Sequence, residues 1–289
     1  MNSRVPRVQT FVAARELRED PEAQSVTMGP PPFIVPDSIE HRLRLALERD
    51  EFVLHYQPKV DIASRAVVGL ESLIRWRNPH AGLVPPADFI TTLERCGLIV
   101  EVGSWALRRA ALDHRSWVEA GLHPPRVAVN VSPVQLREHD FVNTVQRAID
   151  DGISPPGVEL EMTESVLMDD PDGAVAKLTA LRALGIGIAI DDFGIGYSSL
   201  SYLARLPVDA LKIDRSFVVS ITDGGAQATV VRSIVSLAQS LRVKVIAEGV
   251  ETEEQARMLA LLGCDQLQGY LFNRPLPASE VASLLQKRS

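Results

Sequence analysis

A pair of adjacent carboxylates, Asp191 and Asp192, follows a stretch in which large and small residues alternate. Ile186, Ile188 and Ile190 share one face of this stretch, so the pattern predicts a buried strand that ends in acidic residues. Two carboxylates this close repel each other unless a cation lies between them, because like charges at short range strongly raise one pKa. We therefore predict that this strand end binds a divalent metal ion.

Further polar side chains stand at or near the carboxyl ends of the other predicted strands. The complete set comprises Glu71, Asn130, Glu161, Asp191, Asp192, Lys212, Glu248 and Gln268. In a barrel of parallel strands those ends converge on one mouth, where active sites are found. Buried strands rarely tolerate acidic residues, so a chance alignment of independent surface positions is a poor explanation. The pattern predicts one site at one rim of a barrel.

The donor types in this set indicate which metals and which reaction fit. Carboxylate and amide oxygens without histidine or cysteine favour hard cations such as Mg²⁺, Mn²⁺ or Ca²⁺ over zinc. A carboxylate that bridges two such cations is typical of two-metal phosphoryl chemistry, and Asp191 is the best candidate for the bridge. Lys212 and Arg75 provide positive charge for a phosphate. The residue chemistry leaves open which phosphodiester is the substrate.

The predicted elements alternate between strands and helices, which is the pattern of an α/β fold. Strands are expected at Phe52–Val60, Ala66–Arg75, Arg126–Val131, Val158–Thr163, Ile186–Asp191, Ala210–Ile213, Lys244–Glu248 and Asp265–Leu267. Helices are expected at Ile99–Ala120, Val134–Asp150, Gly173–Leu184 and Ala226–Leu241. This alternation predicts a modified TIM-type (β/α)8 barrel. The connection Asp61–Arg65 is too short for a helical crossover, so the first strand should run antiparallel to the rest.

Composition excludes several classes of protein. The formal net charge of −7 argues against binding to nucleic acid polymers. The two cysteines, Cys96 and Cys264, lack C-x-x-C spacing and so indicate neither a disulfide framework nor a zinc ribbon. No apolar run reaches the roughly 18 to 20 residues of a membrane span, and the charged N-terminus lacks the apolar core of a signal peptide. We expect no membrane contact and a cytoplasmic location.

The N-terminal segment differs from the remainder of the chain. Residues 1–36 have weak periodicity and end in a run rich in proline, which predicts a tail or linker. Asp37 is expected to cap a helix that extends to about Arg49, because Ile39, Leu43 and Leu47 follow at helical spacing. The folded domain is therefore predicted to occupy residues 37–289.

Eight motifs follow one another along the chain. They are YQP at Tyr56–Pro58, ESLIRW at Glu71–Trp76, VNVSPVQL at Val129–Leu136, ELEMTES at Glu159–Ser165, DDFGIGYSSLSYL at Asp191–Leu203, LKID at Leu211–Asp214, AEGVE at Ala247–Glu251 and DQLQGYLFNRPLP at Asp265–Pro277. With these motifs the chain resembles the EAL domain family, the bacterial cyclic di-GMP phosphodiesterases. The resemblance implies hydrolysis of cyclic di-GMP to linear pGpG by a homodimer with two Mg²⁺ or Mn²⁺ ions.

The resemblance also implies roles for individual residues. The metal ligands that it implies are Glu71, Asn130, Glu161, Asp191, Asp192 and Glu248. It implies that Lys212 orients the attacking water, and that Glu248 acts as the general base or through the second metal. Supporting carboxylates are Glu164, which holds the glycine-rich loop after Asp192, and Glu251. The substrate contacts that it implies are Arg75, Gln57, Gln268 and Leu73.

Two positions depart from the family pattern. Ser72 replaces the signature alanine, and by strand parity its side chain should point away from Glu71. Ile195 occupies a position in the glycine-rich loop that is usually small or threonine, which predicts altered coupling between the metal site and a dimer interface. The alternatives are a catalytically weak or silent EAL receptor that binds cyclic di-GMP and signals through a partner, and a hydrolase of another phosphodiester. The complete ligand set favours the enzyme.

Overall fold

The computed structural model describes residues 38–150, 157–164, 167, 170–195, 200–223 and 225–286. The predicted tail at residues 1–36 and residues 196–199 of the glycine-rich loop lie outside this part of the chain. Within the described ranges, no helix combines the length and the apolar composition needed to cross a membrane.

The strands of the described chain form one sheet that closes on itself. In chain order they are β1 Phe52–Asp61, β2 Val67–Asn78, β3 Gly82–Val84, β4 Arg126–Asn130, β5 Val158–Thr163, β6 Gly187–Phe193, β7 Ala210–Ile213, β8 Lys244–Ala247, β9 Gln266–Gln268 and β10 Leu276–Pro277. The ring runs β1, β9, β8, β7, β6, β5, β4, β2 and back to β1, while β3 and β10 pair outside it. The predicted α/β barrel is therefore confirmed.

The direction of β1 distinguishes this barrel from a regular one. It pairs antiparallel with both of its ring neighbours, β2 and β9, whereas β2, β4, β5, β6, β7, β8 and β9 follow one another in parallel. A hairpin joins β1 to β2, as the short connection predicts. Its register places Gln57 directly opposite Glu71, so a residue of the reversed strand lies beside the predicted site.

Helices pack on the outside of the ring. Their bounds are Ile39–Glu48, Ile90–Arg95, Ile99–Glu119, Pro133–Arg137, Phe141–Asp150, Pro171–Ala183, Leu200–Leu203, Arg215–Val218, Ala226–Leu241, Glu253–Leu262 and Ala278–Gln286. The helix Ala226–Leu241 has the predicted bounds and buries Val231, Ile234, Val235 and Ala238. This apolar stripe is the face that its helical spacing indicated.

Two helix predictions are wrong in detail. The first helix is capped by Ser38 and not by Asp37, because the Ser38 side chain accepts a hydrogen bond from the His41 amide at 3.2 Å. The single helix expected at residues 134–150 is two helices, which separate at Glu138 because this residue has an extended ψ of 133°. The Ser132 and Gln135 side chains form a capping box that fixes the start of the first of these two helices just after β4.

The strand period divides apolar from polar side chains. Leu160 and Met162 of β5 are buried in the large apolar core between the ring and its helices. The side chains of the alternate residues of β5, among them Glu161, point into the ring. There Glu161 and Lys212 have exposures of 0% and 1%. The ring therefore encloses charged groups, and each of them needs a partner.

Candidate active site

Three carboxylates meet at one end of the ring. Glu71, Glu161 and Asp191 each offer an oxygen atom, and these atoms all lie within 4.8 Å of one another. Register explains the arrangement, because Asn130 pairs with Glu161 across β4 and β5, and Thr163 pairs with Asp191 across β5 and β6. These three of the strand-end residues predicted to converge therefore lie together.

Two amide side chains orient Glu71. Asn130 Nδ2 donates to Glu71 Oε1 at 2.8 Å, and Gln268 Nε2 donates to Glu71 Oε2 at 2.5 Å. Gln268 Nε2 also lies 3.2 Å from Gln57 Oε1. Gln268 Oε1 is buried and has no hydrogen-bond partner among the described residues. This oxygen is free to accept a bond from a bound water molecule.

The Lys212 ammonium lies among the carboxylates. Its Nζ is 2.6 Å from Glu161 Oε2, 3.1 Å from Asp191 Oδ1 and 2.5 Å from Glu248 Oε1. Glu248 Oε1 accepts no well-aligned hydrogen bond within the described chain, so its contact with Lys212 is an ion pair. Lys212, on β7, thus joins β5, β6 and the residue that follows β8.

Burial and charge shift the pKa values of these groups in different directions. Burial raises the pKa of Glu71, and it raises the pKa of Glu248 well above its ordinary value. Burial also disfavours the charged form of Glu161, but Lys212 and Lys59 outweigh it and lower the pKa of Glu161 to about 2. Burial likewise opposes the charge of Lys212, but the carboxylates led by Glu161 raise its pKa well above the ordinary value.

The donor set fits hard divalent cations. Glu71, Glu161, Asp191 and Glu248 provide four carboxylates within reach of the Lys212 ammonium, which leaves an excess of negative charge. The three-carboxylate group that the described chain provides contains oxygen donors alone. Oxygen donors and excess negative charge are what Mg²⁺ and Mn²⁺ require.

Asp192 lies beside this group but is not one of its three carboxylates. Its backbone has a left-handed φ of 52°, and its amide donates to Asp191 Oδ1 at 3.0 Å. The pKa of Asp192 is raised above its ordinary value, mainly by burial and next by the negative charge of Asp191. A cation shared with Asp191 would relieve that repulsion, so the position of Asp192 suits a ligand of a second metal ion.

A cleft of about 220 Å³ opens next to the carboxylates. The predicted site residues among its lining are Gln57, Glu71, Leu73, Glu248, Glu251 and Gln268. Arg75 is not part of this lining; it is half-buried, and its Nη1 donates to the Ile74 carbonyl at 2.8 Å. The structure therefore places these six predicted site residues on one concave surface and leaves Arg75 outside its lining.

A family model described as the EAL domain matches residues 40–275. The chain belongs to the EAL domain family. It is 45% identical over 242 residues to the bifunctional diguanylate cyclase/cyclic di-GMP phosphodiesterase MucR of Pseudomonas aeruginosa, covering 83% of this chain and 35% of MucR. It is 44% identical over 249 residues to the cyclic di-GMP phosphodiesterase NbdA of the same species, covering 86% of this chain and 32% of NbdA. This EAL chain thus spans about a third of the length of those curated relatives.

Solved EAL structures have the same fold. The MucR phosphodiesterase in complex with c-di-GMP has a TM-score of 0.80 at 45% identity, covering 83% of this chain and 98% of that one. The EAL enzyme Bd1971 bound to cAMP and cyclic-di-GMP has a TM-score of 0.81 at 36% identity, covering 86% of this chain and 68% of that one. The barrel described above is therefore the EAL fold.

Sequence reasoning missed four residues at this EAL site. Arg215 and Tyr270 line the cleft; Arg215 pairs with Glu251 at 3.3 Å, and the Arg274 guanidinium stacks over the Tyr270 ring. The buried Lys59 forms an ion pair with the partly buried Glu159 beneath the carboxylates. The sequence did contain an indication for Lys59, because a lysine within a predicted buried strand needs a partner of opposite charge. No local pattern could have indicated Arg215 or Tyr270.

The two departures from the EAL pattern have different surroundings. Ser72 is buried, and its Oγ donates to the Ala128 carbonyl at 2.7 Å on the side away from Glu71, as parity predicts. The Ile195 side chain is 62% exposed. Glu164 is buried just after β5, but residues 196–199 of the loop that it should hold lie outside the described residues. The predicted support of that loop by Glu164 stays a prediction.

Proposed function

We propose that this EAL domain hydrolyses cyclic di-GMP to linear pGpG by a two-metal mechanism. The observation that carries the proposal is the convergence of Glu71, Glu161 and Asp191 within 4.8 Å of one another, beside Lys212 and Glu248. The names of MucR and NbdA, which are phosphodiesterases of cyclic di-GMP, support the choice of substrate. The c-di-GMP complex of the MucR phosphodiesterase supports it further.

In this proposal the metal ions are held at the carboxylate end of the ring. One ion would be bound by Glu71, Asn130, Glu161 and Asp191. The other would be bound by Asp191, Asp192 and Glu248. When bound, the ions supply a more acidic water and neutralise the charge of the phosphate. Gln268 and Asn130 keep Glu71 in a fixed orientation through their amide groups.

The protein's own groups act on the water and the substrate. In this proposal Lys212 donates a hydrogen bond to the attacking water, and the Glu248 carboxylate accepts a proton from that water. The water oxygen joins the phosphorus, one phosphodiester P–O bond breaks, and the released ribose oxygen takes up a proton. The proposed contacts for the dinucleotide are Gln57 and Leu73, which line the cleft, and Arg75 beside it. Glu251 supports this region through its ion pair with Arg215.

One assay separates this function from its alternatives. The purified chain is incubated with cyclic di-GMP and Mg²⁺ or Mn²⁺, and pGpG is measured by chromatography with Glu248→Gln as the control. We expect pGpG from the wild-type protein and at least about a hundredfold less from the control in the same time. Binding of cyclic di-GMP without turnover would instead identify a receptor that signals through a partner. A protein that neither binds nor hydrolyses cyclic di-GMP would instead act on another phosphodiester. Sedimentation of the same sample tests the proposed homodimer.

A further inference from the structure

We propose that Lys59 is a positioning residue that fixes the orientation of Glu161 from below the metal site. Lys59 was not among the residues that the motifs indicated, and it lies on the reversed strand β1. The inference rests on the proposed function, because it gives Glu161 its role as a metal ligand. It adds a residue that touches neither the metal ions nor the substrate.

Glu161 is held at both of its oxygen atoms. Lys59 Nζ lies 2.6 Å from Glu161 Oε1, and Lys212 Nζ lies 2.6 Å from Glu161 Oε2. Two charged donors on opposite oxygens fix the plane of a carboxylate, because rotation about its last bond would break both hydrogen bonds. Glu161 is therefore held in one orientation, with an oxygen atom within 4.8 Å of oxygen atoms of Glu71 and Asp191.

Lys59 is itself held by a second carboxylate. Its Nζ lies 2.6 Å from Glu159 Oε1, and the Lys59 and Glu159 side chains are 2% and 13% exposed. Glu159 precedes Glu161 by two residues on the same face of β5, so it lies about 7 Å deeper along the strand. Opposite Lys59 on β2, Gly69 leaves space for the lysine stem: a Cβ there would be 3.1 Å from Lys59 Cδ. These contacts keep the ammonium below Glu161.

Lys59 influences metal binding in two opposed ways. Its positive charge repels a cation, so its removal could tighten metal binding. Its hydrogen bond orients the metal ligand Glu161, so the loss of Lys59 should weaken metal binding. Residues that hydrogen-bond to a metal ligand in this way typically contribute about 10- to 100-fold in metal affinity. The chain offers a way to separate these effects, because the double variant Lys59→Met/Glu159→Gln removes one positive and one negative charge together.

The experiment measures Mn²⁺ affinity directly, without turnover. Free Mn²⁺ is followed by electron paramagnetic resonance during titration of the wild-type chain, Lys59→Met, Lys59→Arg, Glu159→Gln and the double variant. We expect the double variant to bind Mn²⁺ at least tenfold more weakly than wild type. Glu159→Gln should stay within threefold, because the glutamine amide oxygen can still accept a hydrogen bond from Lys59, and Lys59 then still donates to Glu161. Lys59→Arg should recover part of the affinity that Lys59→Met loses, and thermal unfolding checks that each variant is folded.

The outcomes distinguish the inference from the proposed function. Wild-type affinity in the charge-compensated double variant would show that Lys59 does not position Glu161. A loss in Glu159→Gln as large as in the double variant would also overturn the inference, because Lys59 and its bond to Glu161 remain there. A wild-type protein that binds no Mn²⁺ would overturn both the two-metal proposal and this inference.

Discussion

Lys212 and Glu248 form an ion pair at the mouth of the barrel, with Nζ 2.5 Å from Oε1. They lie on neighbouring parts of the ring, because Lys212 is on β7 and Glu248 follows β8. The Glu248 carboxylate lines the cleft, whereas Lys212 is 1% exposed and lies behind it. The pair therefore places a carboxylate towards the cleft with a buried positive charge behind it.

Replacement of Glu248 should separate binding from turnover. We expect Glu248→Gln to lower kcat by about 10²- to 10⁴-fold, which is the usual contribution of a positioned acid or base. Cyclic di-GMP should still bind, because the side chain keeps its shape. Hydrolysis is measured by chromatography and binding by calorimetry. A kcat within tenfold of the wild-type value would contradict the role given to Glu248.

Loss of Lys212 should affect stability as well as activity. Lys212→Met leaves several buried carboxylates without their shared cation, which in metal-free buffer should lower the free energy of unfolding by about 3 to 5 kcal/mol. Urea denaturation measures the difference. The matched control is Arg205→Met, which removes an exposed ion pair with Asp172 and should cost less than about 1 kcal/mol. Equal losses in both variants would argue against a buried network.

The Asp191 carboxylate should be required for activity but not for folding. We expect Asp191→Asn to abolish hydrolysis and to leave the circular dichroism spectrum and the melting temperature near those of wild type, since the change relieves crowding of like charges. Asp223→Asn, at an exposed position, is the control that should retain activity. A fully active Asp191→Asn protein would rule out the proposed bridging position.

Stabilisation by Mg²⁺ should increase with pH. In the metal-free protein, burial raises the pKa values of Glu71 and Glu248. Stability from such groups is fully present below their unfolded pKa of about 4.3 and is lost as the pH rises through the folded pKa. A bound cation offsets this loss, so the difference in melting temperature between Mg²⁺ and EDTA should grow from pH 5 to pH 8. A difference that is flat or shrinks with pH would count against metal binding at these carboxylates.

The periodicity of the sequence was enough to predict most of the fold. The strands Val158–Thr163 and Ala210–Ile213 and the helix Ala226–Leu241 have the bounds that their patterns indicated. These patterns are local, because a strand repeats every two residues and a helix every 3.6. The separation of the helix expected at residues 134–150 was not predicted, because the apolar spacing continues across the extended residue Glu138.

The sequence by itself also determined which polar side chains stand at the strand ends, since parity and strand position depend only on neighbouring residues. Only the tertiary structure decided which of them touch. Lys59 meets Glu161 across 102 residues of chain, and Gln268 meets Glu71 across 197. The reversed strand β1 and the closure of the ring create both contacts. The distance between two strands depends on sheet order and register, and no local pattern records either.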